Sequence, residues 1–368
     1  MTLAKGALMY GFNQPLVIEE LEWNDPGPDE IGVRILASGV CHTDYHAVTG
    51  EYAMEFPSIL GHEGVGIVEK VGERCKRIKE GDHVVLSWMP SCGHCPYCVS
   101  GYRQLCDRGA NLITGHLEEG VHKIHTKKGV GVDQFSFLGC FSEYVVVLED
   151  GAVAVDKDIE LSKICILGCR IPTGWGAVMN AAKVTPGSTA LVVGLGGVGF
   201  NVLQGLRTAG AVVIIAADIK DKRKWATQWG ATHYIDASKQ DIREEVMKIT
   251  GIGVNYAFDA VGNAKVEEAC VESLSKAGTA VFAGVPPASL NSLSCNPQNL
   301  IYSQKTIMGT LYGHSNPSQS VPQLLKMYKA GILKMDELIT KEYKLEQVNE
   351  AFADMLAGKN ICGALRMN

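Results

Sequence analysis

The chain has 368 residues, 46% hydrophobic and 20% charged, which is the composition of a globular protein of two or three domains. Its 34 basic and 40 acidic residues give a net charge of −6 and form no basic tract or acidic tail, so a nucleic-acid partner is not expected. Residues 1–12 lack the apolar run of a signal peptide, and we expect a cytoplasmic protein with no membrane span. Twelve cysteines in such a chain predict metal ligation or catalysis, not disulfides.

The first third of the chain alternates short apolar runs with turn residues. Strands are predicted at residues 31–36, 64–71, 83–86 and 144–147. Short strands separated by Gly, Pro and Asp clusters indicate a β-rich domain.

From about residue 172 the pattern changes to strands alternating with helices, which indicates a doubly wound parallel sheet. Strands are predicted at 189–193, 212–217, 234–235, 256–259 and 279–283, with helices at 197–210 and 220–230. Two later helices, 321–330 and 345–357, and a last strand at 364–366 are expected to return to the first domain. The predicted fold is α/β, with residues 1–170 and 308–368 in one domain and the parallel sheet inserted as residues 171–307.

The most specific motif is a set of four thiols, Cys92, Cys95, Cys98 and Cys106. Their spacing lets one loop wrap a tetrahedral Zn²⁺, and four thiolates leave no position for water, so the site would be structural. The alternatives are an Fe–S cluster or four unrelated buried cysteines. His94, inside the loop, is predicted to be a surface residue.

A second group of polar residues is scattered along the chain. Several such side chains fall within six residues after a predicted strand: Cys41, His42, Thr43, Asp44 and His46. His62 and Glu63 follow at a glycine turn, and Cys169 lies near the domain junction. One His and two Cys would leave a fourth zinc position open for substrate, as catalysis requires, but the pattern alone fits local core packing equally well.

A third motif has glycines between a buried strand and a helix: Gly194, Gly196, Gly197, Val198 and Gly199. With Asp218 at the end of the next strand, it predicts a dinucleotide site in which the pyrophosphate meets the helix N-terminus. A carboxylate there repels a 2′-phosphate, so NAD is expected over NADP. Lys222 and Arg223 follow closely; Arg223 is a candidate cofactor contact, although both fit a solvated helix face.

Together these residues resemble the zinc-dependent medium-chain alcohol dehydrogenases. The run GHEGVG at 61–66, continuing to Gly72 and Cys75, fits the zinc signature of that family, and the resemblance extends from Gly39 to Gly363. It implies a GroES-like β-domain carrying an inserted Rossmann domain. It also implies two zinc ions per chain, a catalytic one on Cys41, His62 and Cys169 and a structural one on the four clustered thiols.

The resemblance further implies reversible alcohol oxidation by hydride transfer to NAD. Thr43 would accept the alcohol proton and pass it by way of the cofactor ribose to His46. Asp44 would hydrogen-bond the far nitrogen of His62, Glu63 would lie behind the metal, and Trp88 would line the substrate pocket. His42 and Thr173 are further expected cofactor contacts.

Two positions depart from the family pattern. Arg170 stands where glycine is usual, and Cys362 stands where many members carry an arginine on the pyrophosphate, a loss that Arg170 or His42 would have to compensate. Residues 105–112, 172–175, 336–340 and 358–361 resemble a narrower, nicotinoprotein-like branch that holds NAD tightly.

Three other functions remain open from the sequence. One is a dehydrogenase for the thiol adduct of formaldehyde, one is a catalytically silent relative that binds zinc and NAD, and one is a redox-sensing thiol protein. The expected partners are a small alcohol or aldehyde and further copies of the chain, as a homodimer or homotetramer.

Overall fold

The computed structural model describes residues 1–112, 115, 121–290 and 292–367, without the side chains of Ala110 and Asn111. Two side chains of the 105–112 motif and the whole of residue 368 are therefore outside the description. The chain divides into two compact units, residues 1–169 with 316–368 and residues 170–315.

The strands are β1 (Thr2–Met9), β2 (Val17–Trp23), β3 (Glu30–Val40), β4 (Ser58–Ile59), β5 (Glu63–Val71), β6 (His83–Ser87), β7 (Ile124–Thr126), β8 (Gly131–Gln134), β9 (Tyr144–Leu148), β10 (Ala152–Val155), β11 (Thr189–Val193), β12 (Val213–Asp218), β13 (His233–Asp236), β14 (Val254–Asp259), β15 (Leu274–Phe282), β16 (Thr306–Gly309), β17 (Ile339–Lys344) and β18 (Cys362–Arg366).

The α-helices are α1 (His42–Thr49), α2 (Pro96–Val99), α3 (Arg170–Gly176), α4 (Gly197–Ala209), α5 (Arg223–Gln228), α6 (Ile242–Thr250), α7 (Ala264–Glu272), α8 (Pro297–Tyr302), α9 (Pro317–Lys329) and α10 (Val348–Ala357). Short 3₁₀ segments are Arg103–Leu105, Asp107–Asn111, Phe135–Phe137, Glu149–Gly151, Leu161–Gly168, Tyr312–His314, Asp336–Leu338 and Leu345–Gln347, and Ala177–Ala182 is π-helical.

The first unit is built from two sheets. Strands β1, β2, β7, β8 and β4 close into a barrel, while β10-β6-β5-β3-β18-β17 form a second sheet in which β9 also pairs with β3. Trp23, Phe135 and Phe141 are buried in its core. β18 pairs antiparallel with the end of β3, opposite Val40, so the last strand of the chain lies beside the segment that leads into Cys41.

The second unit holds a six-stranded parallel sheet in the order β13-β12-β11-β14-β15-β16, with helices in the connections. This order reverses direction at β11, the arrangement of a doubly wound dinucleotide-binding sheet. The predicted α/β class and parallel sheet are confirmed. Residues 190–193 of β11 and 213–217 of β12 are uninterrupted apolar runs because sheets of this kind are covered on both faces.

The structure places the boundaries between units differently from the predicted 170/171 and 307/308. Arg170 belongs to the second unit as the first residue of α3. Residues 308–315 also stay with that unit, because β16 pairs along β15 to Gly309 and the turn at Tyr312–His314 packs on α3. The predicted helix 220–230 begins only at Arg223, after a turn capped by Asp218.

None of the described helices combines the length and the apolar character that crossing a membrane requires.

Candidate active site and metal centres

The four thiols of the 92–106 loop lie together in the structure. Their sulfur atoms all fall within 4.8 Å of one another, and Sγ of Cys95 is 3.9 Å from Sγ of Cys106. Sulfurs bound about 2.3 Å from a tetrahedral zinc are about 3.8 Å apart, so this spacing fits that ion. All four are free thiols, and His94 is exposed on the loop, as predicted.

Backbone N–H groups in this loop favour the thiolate form of one of its cysteines. The backbone N–H groups of Asp107 and Cys98 lower the pKa of Cys95 to about 6. Burial instead raises the pKa of Cys98 to about 12. Crowding four thiols this closely disfavours four bare negative charges, and a divalent cation bound among them would offset half of that charge.

The second cluster is organised by the carboxylate of Asp44, which is fully buried in the first turn of α1. Its Oδ2 accepts the backbone N–H of Cys41 at 3.3 Å, and its Oδ1 accepts the backbone N–H of Gly61 at 3.0 Å. Oδ1 also lies 2.9 Å from Nδ1 of His62. The Asp44 side chain therefore links the Cys41 segment to the His62 segment. Because Asp44 binds Nδ1 of His62, Nε2 lies on the side of the imidazole ring away from Asp44.

Gly61 is required where these segments meet. Its φ is +99°, and a Cβ there would lie 2.5 Å from the backbone N of Phe141. A side chain at this position would clash with the backbone of Cys140 and Phe141.

His62 has the environment of a metal ligand. Its Nε2 is buried and finds no hydrogen-bond partner among the described residues. Burial lowers its pKa, but the charges of Asp44 and Cys169 outweigh that effect and leave the pKa well above its ordinary value. A cation bound at Nε2 would satisfy the orphaned nitrogen, and the donor set fits zinc.

Cys41 and Glu63 complete the immediate cluster, with ligand atoms within 4.8 Å of His62 and of each other. Cys169 follows the segment Leu161–Gly168, which packs on β3, β5 and β6. Its thiol interacts electrostatically with His62, Glu63 and Cys41. The structure thus brings together three residues that the sequence pattern alone did not pair.

Thr43 and His46 stand one turn apart on α1. The Thr43 hydroxyl is 3.8 Å from Sγ of Cys41. Nδ1 of His46 pairs with Oε2 of Glu51, a residue that the sequence analysis missed. The available signal was the glycine at 50, which allows the chain to fold back over the last turn of the helix.

Aromatic rings surround His62. Trp88 and Phe135 each meet its imidazole edge-to-face, with ring centroids 6.4 and 6.3 Å away. Tyr52 lies 6.0 Å from Phe135. Trp88 is only partly buried, and the candidate metal cluster is therefore bordered by aromatic surface.

The glycine-rich turn of the second unit fits a dinucleotide. Gly196 caps α4, a helix of 13 residues, and a Cβ at Gly196 would meet no described atom within 4 Å. A Cβ at Gly199 would instead lie 1.8 Å from the carbonyl oxygen of Gly194. The turn is therefore tight on one side and open at the helix N-terminus, where a pyrophosphate would accept backbone hydrogen bonds.

Asp218 ends β12 and is nearly buried. Its Oδ2 accepts the N–H of Leu195 at 2.8 Å, and its Oδ1 accepts the N–H of Lys220 at 2.9 Å. Nζ of Lys222 lies 3.3 Å from Oδ2 and donates to the carbonyl of Leu195 at 2.8 Å. The interpretation of Lys222 as a solvated surface residue is therefore wrong. Its ammonium group pairs with the Asp218 carboxylate and with the backbone of the glycine-rich turn.

The remaining predicted cofactor contacts lie in different surroundings. Arg223 is exposed and stacks over the ring of Tyr234 at 4.8 Å. Thr173 is buried on α3, which packs closely against α4. Arg170 is only 4% exposed and is therefore not a surface residue. His42 is exposed at the start of α1.

Comparison with known proteins supports the same interpretation. Residues 27–157 match the family described as "Alcohol dehydrogenase GroES-like domain", and residues 197–330 match the family "Zinc-binding dehydrogenase". Alcohol dehydrogenase B of Mycobacterium tuberculosis is 41% identical over 98% of both chains. An NDMA-dependent alcohol dehydrogenase of Amycolatopsis methanolica is 37% identical, again over 98% of both.

The fold is shared with a solved structure as well. Benzyl alcohol dehydrogenase from Acinetobacter calcoaceticus superimposes with a TM-score of 0.95 at 31% identity, covering 100% of both chains. These matches cover nearly the whole chain, and the chain carries both side-chain clusters and the glycine-rich turn. The chain therefore belongs to the zinc-dependent medium-chain alcohol dehydrogenases and is an alcohol oxidoreductase.

Proposed function

We propose that the protein oxidises alcohols reversibly with NAD as the hydride acceptor. In this proposal zinc sits on Cys41, His62 and Cys169, and a second, structural zinc sits on the four thiols of the 92–106 loop. The observation that carries the proposal is the buried Nε2 of His62, which lacks a hydrogen-bond partner among the described residues and lies beside Cys41 and Cys169. Zinc bound there supplies a Lewis acid that lowers the pKa of the substrate hydroxyl, while NAD accepts the hydride.

The protein's own residues manage position and protons. Asp44 fixes Nδ1 of His62, so that Nε2 is the nitrogen available for the metal. Thr43, beside Cys41, is placed to accept the proton that the substrate hydroxyl gives up. His46 lies three residues on, along the same face of α1, and hands the proton to solvent. Glu63 lies buried within the cluster and adds negative charge behind the cation.

We assign cofactor binding to the second unit. The open helix N-terminus at Gly196, Gly197 and Val198 would hold the pyrophosphate, and Asp218 would meet the ribose hydroxyls. We propose that NAD stays bound through many turnovers, because residues 105–112, 172–175, 336–340 and 358–361 resemble the nicotinoprotein-like branch and one relative is named for dependence on NDMA. Thr173, Arg223 and His42 are proposed as further contacts.

The substrate class proposed is a primary aromatic alcohol. Trp88, Phe135 and Tyr52 give the surroundings of His62 three aromatic rings, and a substrate ring packs on such surfaces edge-to-face. A relative of known structure at 31% identity is named benzyl alcohol dehydrogenase. We also propose that the protein is cytoplasmic and that it forms a homodimer or homotetramer. Light scattering measures the oligomeric state directly.

The purified protein should carry two zinc ions per chain and release NAD on denaturation. Metal analysis, together with chromatography of the acid supernatant, measures both quantities. Benzyl alcohol should then be oxidised with NDMA as the acceptor, and added NAD⁺ should accelerate turnover little. One zinc per chain would contradict the proposed catalytic centre, and a cofactor-free protein that needs added NAD⁺ would contradict tight binding.

Cys98→Ser should lose one zinc per chain and lower the melting temperature, since a structural metal contributes folding free energy. A loss of about 3 kcal/mol corresponds to a fall of roughly 6–12 °C. Calorimetry with metal analysis tests this, and Cys75→Ser, which changes a thiol outside both clusters, is the control. An unchanged zinc content in Cys98→Ser would show that the four thiols hold no zinc.

Asp218→Gly should shift cofactor preference toward NADP. The change removes the negative charge that repels a 2′-phosphate and leaves Lys222 without its carboxylate partner. We expect the ratio of affinities, NADP⁺ over NAD⁺, to rise at least about tenfold in titrations of cofactor-stripped protein, which is about 1.4 kcal/mol. Asp221→Asn removes a charge from the same turn and should leave the ratio unchanged; an equal shift in both variants would mean that only net charge matters.

Trp88→Ala should erase the preference for aromatic alcohols. We expect kcat/KM for benzyl alcohol to fall at least about tenfold relative to that for ethanol, because a ring contact of about 1.4 kcal/mol is lost. Trp88→Phe keeps an aromatic face and should retain most of the preference. Equal losses for both alcohols in Trp88→Ala would contradict a substrate-binding role for the indole.

A further inference from the structure

The sequence places Glu51 five residues after His46, a spacing that does not put two side chains on one face of a regular helix. The structure brings them together because α1 ends at Thr49 and Gly50 adopts a left-handed conformation, with φ of +83°. The backbone N–H of Glu51 then donates to the carbonyl of His46 at 2.9 Å. This turn folds the Glu51 side chain back over the last turn of the helix.

Both carboxylate oxygens of Glu51 are engaged. Oε1 accepts the hydroxyl of Thr49 at 3.1 Å, and Oε2 pairs with Nδ1 of His46. The Thr49 hydroxyl thus fixes the rotation of the carboxylate and leaves its second oxygen directed at the imidazole. The side chains of His46 and Glu51 are 22% and 28% exposed, so the pair is shielded but still in contact with water.

An ionised carboxylate accepts hydrogen bonds and does not donate them, so Nδ1 of neutral His46 must carry the hydrogen. Its lone pair then resides on Nε2, at the far side of the ring. The neighbouring phenol of Tyr52 does not compete as a second anion, because burial raises its pKa to about 12.

We propose that Glu51 is a positioning residue that forms a carboxylate–imidazole dyad with His46, holding Nε2 of His46 as the proton acceptor in alcohol oxidation. The inference rests on the proposed function, in which His46 carries the substrate proton to solvent. The proton arrives at Nε2 and forms an imidazolium whose Nδ1–H remains bonded to Glu51. The same proton then leaves from Nε2 to water, and Glu51 stays ionised throughout.

The tautomer is measured directly by nitrogen NMR on protein labelled at its ten histidines, with His46→Gln assigning the signal. The parent should show the Nδ1–H form of His46 at neutral pH. Glu51→Ala should move it toward the Nε2–H form, while Glu51→Gln, whose amide oxygen still accepts, should retain Nδ1–H. Identical His46 signals in the parent and Glu51→Ala would overturn the inference whatever the enzyme's activity.

Kinetics test the consequence. In a single turnover at neutral pH, Glu51→Ala should slow NADH formation from benzyl alcohol by about ten- to a hundredfold, with little change in the alcohol concentration at half-maximal rate. Glu51→Asp should recover part of the loss, and added imidazole buffer should accelerate Glu51→Ala more than the parent. Glu55→Gln removes a carboxylate from the same exposed segment and serves as the matched control.

The outcomes separate this inference from the proposed function. A slow His46→Gln with a Glu51→Ala rate equal to the parent would overturn the role of Glu51 alone. A His46→Gln rate equal to the parent would refute the proton path itself, and the inference would fall with it. A loss in Glu55→Gln equal to that in Glu51→Ala would also overturn the inference, by reducing the effect to net charge.

Discussion

The candidate active site depends on one buried carboxylate, that of Asp44. It accepts hydrogen bonds from the backbone of Cys41, from the backbone of Gly61 and from Nδ1 of His62, and so joins two segments that are twenty residues apart in the chain. A buried carboxylate is costly unless its oxygens are satisfied, and here each of its donors belongs to a segment that carries a proposed metal ligand. Because these hydrogen bonds must form when Asp44 is buried, they also hold Cys41 and His62 in position without a bound cation.

Asp218 does for the second unit what Asp44 does for the first. It ties the N–H of Leu195, within the glycine turn, to the end of the neighbouring strand, and Lys222 balances its charge. The residue that would read the ribose also holds the loop that would cradle the pyrophosphate. A single carboxylate with both roles would couple cofactor choice to the geometry of the glycine turn.

Local spacing carried most of what the sequence could predict. The four thiols share one short loop and the glycine turn links a strand to its own helix, so their geometry follows from neighbouring residues. Cys169 is more than a hundred residues from His62, and only tertiary packing or a family resemblance pairs them. Glu51 and Lys222 were missed or misjudged because their contacts depend on a left-handed turn and on a buried charge, which hydrophobic periodicity does not report.

The pairing of β18 with β3 has a consequence for synthesis of the chain. Cys41 follows directly after β3. On one side of β3, residues 37–40 have residues 363–366 of β18 as their pairing partner. Those residues emerge from the ribosome only after the whole parallel sheet of the second unit. Until they emerge, the strand leading into the candidate metal cluster presents an open edge, a template for pairing with other chains. β18 is thus made after the inserted parallel sheet and closes this edge of β3.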